Sequence, residues 1–160
     1  MSKNIFDISA EELNKVFEQN NVVLAYVFGS FVYGTVTPLS DLDIAVVFDK
    51  KAPDKERFDR RLRLSYEIGK LTEMDRVDVV DLEAVRNPLL RHDAALEGKV
   101  LFSKNKEFQR ELEFKILQEY EDTKYLRKMQ SIIMRRHIKE GIFGKPFIST
   151  HAIKSPTVKT

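Results

Sequence analysis

Two stretches, Val22 to Phe28 and Asp41 to Phe48, constrain this chain more than any other feature. The first is apolar throughout, which predicts a strand covered on both faces, and the second reads as another central, buried strand. The first ends at Gly29-Ser30. The second strand, read as Asp41 to Phe48, opens on two carboxylates, Asp41 and Asp43. Residues i and i+2 of a strand point the same way, so both side chains are expected on one face. Carboxylates that close repel unless a cation lies between them. Oxygen-only ligands favour Mg²⁺, Mn²⁺ or Ca²⁺. At the other end of the connection, Gly29 lets a ligand approach the backbone. The N–H groups that follow it and the Ser30 hydroxyl are suited to phosphate oxygens.

The chain has 160 residues, enough for one domain or one domain with an appendage. Hydrophobic content of 42% and charged content of 32% are those of a globular protein. No apolar run reaches membrane-spanning length, and Met1-Ser2-Lys3-Asn4 has no signal-peptide pattern. No membrane association and a cytoplasmic location are therefore expected. The absence of cysteine fits a reducing compartment. His92, His137 and His151 are scattered without metal-ligand spacing. The net charge of +2 hides an asymmetry: 14 Lys+Arg against 18 Asp+Glu over residues 1–102, then 13 against 7 over 103–160. The basic half is either a solvated face or a surface for an acidic partner or a nucleotide.

Along the chain, Ser9-Ala10-Glu11-Glu12 reads as a capping box opening a short amphipathic helix that Asn20-Asn21 ends. Residues 54–73 read as a helix with one stripe of Phe58, Leu62 and Tyr66 and another of Leu64, Ile68 and Leu71. Arg57, Arg60, Arg61 and Arg63 are expected on its solvated face. Val77 to Leu82 reads as a third strand, and Asn87-Pro88 as a helix start. Lys99 to Phe102 reads as an edge strand. From Ser103 to Lys139 there is no Gly and no Pro, which predicts one long helix. Phe108, Leu112, Ile116 and Tyr120 line one side of it. Phe114, Leu117, Tyr125 and Ile132 fall elsewhere, so its outer half is expected to meet another subunit or a partner. Residues 141–160 read as a mobile or extended tail. The expected organisation is a small mixed α/β sheet domain over 1–102, the long helix over 103–140, and the tail.

Gly29-Ser30, ten residues, then Asp41-x-Asp43 resembles the signature of the nucleotidyltransferases related to DNA polymerase β. The resemblance implies a third carboxylate on a later strand, and Asp78 is placed for it. Asp75 and Asp81 are the rivals, both expected at the surface. In size the chain looks like the minimal type, MNT. The runs Ser40 to Val46 and Val77 to Leu82 resemble antitoxins paired with HEPN-domain toxins. That resemblance implies transfer of AMP from ATP to a tyrosine of the toxin ribonuclease, with two Mg²⁺ held by Asp41, Asp43 and Asp78. It implies phosphate contacts by Gly29 and Ser30, and a hetero-oligomer with the toxin rather than direct nucleic-acid binding. Many relatives carry an arginine where Tyr33 stands. Tyr33 is expected either to stack on a base or to pack in the core. Two other readings are open: nucleotidyl transfer to a small molecule such as an aminoglycoside, or an antitoxin that acts by binding alone.

Overall fold

The structure, a computed structural model, describes residues 4–37, 40–51 and 53–142. The tail expected beyond residue 142 and the loop residues Pro38 and Leu39 lie outside the described residues. The chain divides into two compact units with the boundary between Thr123 and Lys124.

The first unit is built on a mixed four-stranded sheet. Its strands are β1 (Val22–Phe28), β2 (Leu42–Phe48), β3 (Val77–Asp81) and β4 (Lys99–Ser103), in the order β3-β2-β1-β4. β1 pairs antiparallel with both β2 and β4, and β2 pairs parallel with β3. A parallel neighbour needs a crossover, and helix α3 (Asp54–Thr72) supplies it. β3 and β4 are therefore the edges, and β1 and β2 are the centre, where both faces are covered.

Helices cover the two faces. α1 (Ala10–Gln19) starts at Ser9, whose hydroxyl accepts the Glu12 N–H at 3.2 Å and donates to the Glu12 carboxylate at 2.8 Å. With α3 it covers one face, where Leu13, Phe17, Leu64 and Ile68 pack on Leu42, Ile44, Val46 and Val79. The other face, with Leu24, Tyr26, Ala45 and Val47, lies under Ala94 and Ala95 of α4 (Pro88–Ala95) and Ile116 of α5 (Lys106–Asp122). Asn87 caps α4 through the Leu89 N–H, and Asn105 caps α5 through the Glu107 N–H.

Three expectations are corrected. The helical span 103–139 is divided at Thr123, between α5 and α6 (Lys124–Lys139). No Gly or Pro marks the break. Thr123 bonds back to the carbonyls of Glu119 at 2.8 Å and Tyr120 at 3.2 Å, a side-chain bond that competes with the helical ladder. On α3, the stripe of Phe58, Leu62 and Tyr66 is more than half exposed, and the neighbouring stripe takes the core. The α3 arginines are not a solvated face either. Arg57 reaches Asp81 and Glu83, Arg60 pairs with Glu56, and Arg61 bonds the Val79 carbonyl; Arg63 alone of the four is exposed without such a bond among those described.

In the second unit α6 buries none of its residues. Tyr125, Leu126, Met129, Ile132 and Ile133 are all exposed. Among the described residues no helix is long and apolar enough to cross a membrane.

Candidate active site

The antiparallel register sets Phe28 opposite Asp43, so the exit of β1 meets the entry of β2. The parallel register sets Asp43 opposite Asp78 on β3. Asp43 shares strand parity with Ala45 and Val47, and Asp78 with Val80, all on the face that α4 and α5 cover farther along. The two carboxylates thus share one face at the open end of the sheet. Asp41 lies just before β2. Its carboxylate is half exposed and pairs with Arg76 at 3.6 Å, while the Leu42 N–H donates to the Arg76 carbonyl at 3.0 Å. Ser40 braces the incoming loop by accepting the Thr37 N–H at 2.9 Å.

These groups feel one another. The Asp43 carboxyl is held above its ordinary value, first by burial, then by the charges of Asp78 and Asp41. Such a cluster is stabilised by added positive charge. The side chains are nonetheless not gathered: among the described residues no three His, Asp or Glu groups form a ready coordination sphere. The Arg76 pair and mutual repulsion oppose convergence.

Gly29 closes the site from above. Its φ of +70° and ψ of −144° are backbone angles that an L side chain rarely adopts. A Cβ built there would stand 2.5 Å from Asp43 Oδ2. The bare Cα of Gly29 therefore lies directly against the carboxylate. Gly29 caps the one-turn helix α2 (Ser30–Tyr33), whose Val32 N–H returns to the Gly29 carbonyl at 3.0 Å. Phe31 and Val32 pack on the core. Tyr33 does not; its side chain stands 59% exposed beside the turn.

The donor set fits a hard divalent cation in its chemistry: carboxylate oxygens only, with Asp43 and Asp78 in register on one face, beside a glycine backbone without a side chain. Of the rivals to Asp78, Asp75 is exposed as expected. Asp81 is not. It is 2% exposed, pairs with Arg57 at 3.4 Å and accepts the Glu83 N–H at 3.0 Å. Its opposite parity carries it away from the Asp43 face and under α3. Sequence reasoning missed Arg76 and Ser40, because neither spacing nor composition shows which loop residue faces a carboxylate.

A family described as polymerase beta, nucleotidyltransferase, matches residues 11–107. Among solved structures, a chain of a toxin–antitoxin complex with AMP-PNP is 26% identical, with a TM-score of 0.61 over 79% of this chain and 96% of that one. A chain of a mutant MntA–HpeT toxin–antitoxin structure is 25% identical with the same score and coverage. A third, from the Shewanella oneidensis tri-AMPylated HEPN toxin in complex with MNT antitoxin, is 24% identical with a TM-score of 0.56, over 78% of this chain and 92% of that one, a likeness of fold. No curated protein matches.

Proposed function

The chain belongs to the polymerase beta nucleotidyltransferase family, and on that premise we propose that it is the antitoxin of a toxin–antitoxin pair. In this reading it transfers AMP from ATP to a tyrosine of a cognate HEPN ribonuclease and so neutralises it. The observation that carries the reaction is the in-register pair Asp43 and Asp78 with the Gly29 backbone laid against Asp43. The solved chain of a toxin–antitoxin complex holding AMP-PNP, an ATP analogue, supports the nucleotide and the partner.

Asp41, Asp43 and Asp78 would hold two Mg²⁺ ions, which neutralise phosphate charge and acidify the acceptor hydroxyl when bound. The chain's own residues do the rest. Gly29 and Ser30 bind phosphate oxygens through backbone N–H groups and the Ser30 hydroxyl. The exposed ring of Tyr33 offers a face to the base. The acceptor oxygen forms a bond to the α-phosphorus as the bond to pyrophosphate breaks. Asp78, exposed at the edge, receives the acceptor proton.

Incubation with labelled ATP, Mg²⁺ and the purified HEPN protein tests this. Label on a tyrosine of that protein, with loss of its ribonuclease activity, is the expected result. Label on an aminoglycoside alone, or inhibition that needs no ATP, overturns it.

The partner is expected to meet α6. Residues 124–160 carry 9 Lys+Arg against 1 Asp+Glu, and residues 1–123 carry 18 against 24. A basic helix with seven large exposed apolar residues fits an acidic, apolar groove, and two copies of it repel. Leu126→Glu with Ile133→Glu is expected to weaken binding to the HEPN protein at least ~10-fold, about 1.4 kcal/mol, measured by calorimetry. Unchanged affinity excludes α6 from the interface.

A further inference from the structure

We propose that Arg61 and Ser65 of α3 are positioning residues for Asp78, a role that rests on the reading of Asp78 as part of the active site. β3 is an edge strand, paired with β2 on one side only. The carbonyls of Val77 and Val79 point to the unpaired side, because residues i and i+2 of a strand direct their carbonyls alike. Asp78 sits between them.

Each of those carbonyls takes a donor from α3. The Ser65 hydroxyl donates to the Val77 carbonyl at 2.6 Å, and Arg61 Nε donates to the Val79 carbonyl at 2.9 Å. One helical turn earlier, Arg57 bonds the buried Asp81 carboxylate at 3.4 Å. The three side chains lie at i, i+4 and i+8 of the helix and meet 81, 79 and 77 of the strand, running in opposite directions. The lengths match: four helical residues advance about 6.0 Å, and two strand residues about 6.6 Å. A side-chain ladder thus takes the place of a fifth strand, which also blunts the edge against pairing with another chain.

The consequence falls on Asp78. Its carboxylate must keep its place against Asp43 while three like charges push outward. On the β2 side, backbone bonds hold β3. On the free side, the Ser65 and Arg61 bonds on either side of Asp78 hold it. Loss of the Ser65 donor leaves the Val77 carbonyl unpaired and frees the leading end of β3. The Arg57 pair, three residues past Asp78, anchors the far end and serves as a control.

The experiment compares Ser65→Ala, Ser65→Thr, Arg61→Met, Arg57→Met and Asp78→Asn in the full chain. Mn²⁺ binding is read by electron paramagnetic resonance in the presence of AMP-PNP, beside kcat, nucleotide KM and thermal unfolding. Ser65→Ala and Arg61→Met are expected to weaken Mn²⁺ binding and lower kcat about 10-fold each, the scale seen when a ligand's supporting partner is removed. Nucleotide KM stays near its original value, and Ser65→Thr recovers both quantities. Arg57→Met lowers thermal stability and leaves Mn²⁺ binding alone. Asp78→Asn that binds Mn²⁺ as the parent does overturns the assignment of Asp78, and with it this role. Normal Mn²⁺ binding by Ser65→Ala and Arg61→Met, with Asp78→Asn defective, overturns the ladder's role alone and leaves it a purely structural edge cover.

Discussion

Asp43→Asn is expected to reduce nucleotidyl transfer by at least ~10³-fold, about 4 kcal/mol of transition-state stabilisation, while making the metal-free chain more stable. The two effects have one cause. Asp43 is the innermost of the three carboxylates, and its carboxyl is raised by burial and by Asp78 and Asp41. A folded-state pKa above the unfolded value means that the ionised form opposes folding. That opposition is complete above the raised folded value. It is relieved as pH falls through the raised folded value toward the ordinary carboxylate range. Asparagine keeps the shape and removes the charge, so the variant should melt higher than the parent at neutral pH without divalent cation. The difference should shrink as pH falls through that window. Thermal unfolding from neutral to mildly acid pH, with and without Mg²⁺ and AMP-PNP, checks both signs. A variant that melts lower than the parent at neutral pH would place Asp43 among residues that stabilise the fold, contrary to this account.

The Gly29-Ser30 and Asp41-x-Asp43 spacing was legible because strand parity and register are local: Phe28 opposite Asp43 follows from two antiparallel runs and one connection. Val77-Asp78-Val79 was legible as a strand for the same reason. What escaped depends on which of two equivalent helix faces meets the sheet. Phe58, Leu62 and Tyr66 have the same spacing as Leu64, Ile68 and the residues around them, so periodicity alone does not choose between them. The choice is made by the flank. Turning Leu64 and Ile68 inward brings Arg57, Arg61 and Ser65 to the open edge of β3, where each finds a partner. That rotation also buries Asp81, which looks like a surface residue only while its arginine partner is unknown. The break at Thr123 escaped because a threonine that bonds back to its own helix has no compositional mark.

Gly29→Ala is expected to be the most damaging single-methyl change at the site, and the comparison with Gly34→Asn separates its causes. Both glycines have positive φ, +70° and +69°. They differ in ψ and in surroundings. Gly34 ends α2 at ψ +20°, in the left-handed region that asparagine tolerates, with nothing within 4 Å of a built Cβ. Gly34→Asn should therefore leave stability within about 1 kcal/mol of the parent, and transfer nearly unchanged. Gly29 combines φ +70° with ψ −144°, near a region that is essentially open to glycine alone, at about 1–3 kcal/mol for any other residue. Its added methyl would also press on Asp43 Oδ2. The backbone has two ways to relieve that pressure, and each costs function: Asp43 rotates away from Asp78, or the Gly29-Ser30 turn lifts off the carboxylates. Gly29→Ala should thus lose both stability and transfer, the latter by ~10²-fold or more, the scale of a lost preorganised electrostatic contact. Denaturant unfolding and single-turnover transfer measure the two separately. Loss of stability with transfer intact would mean that the close approach of Gly29 to Asp43 serves the fold and not the phosphates.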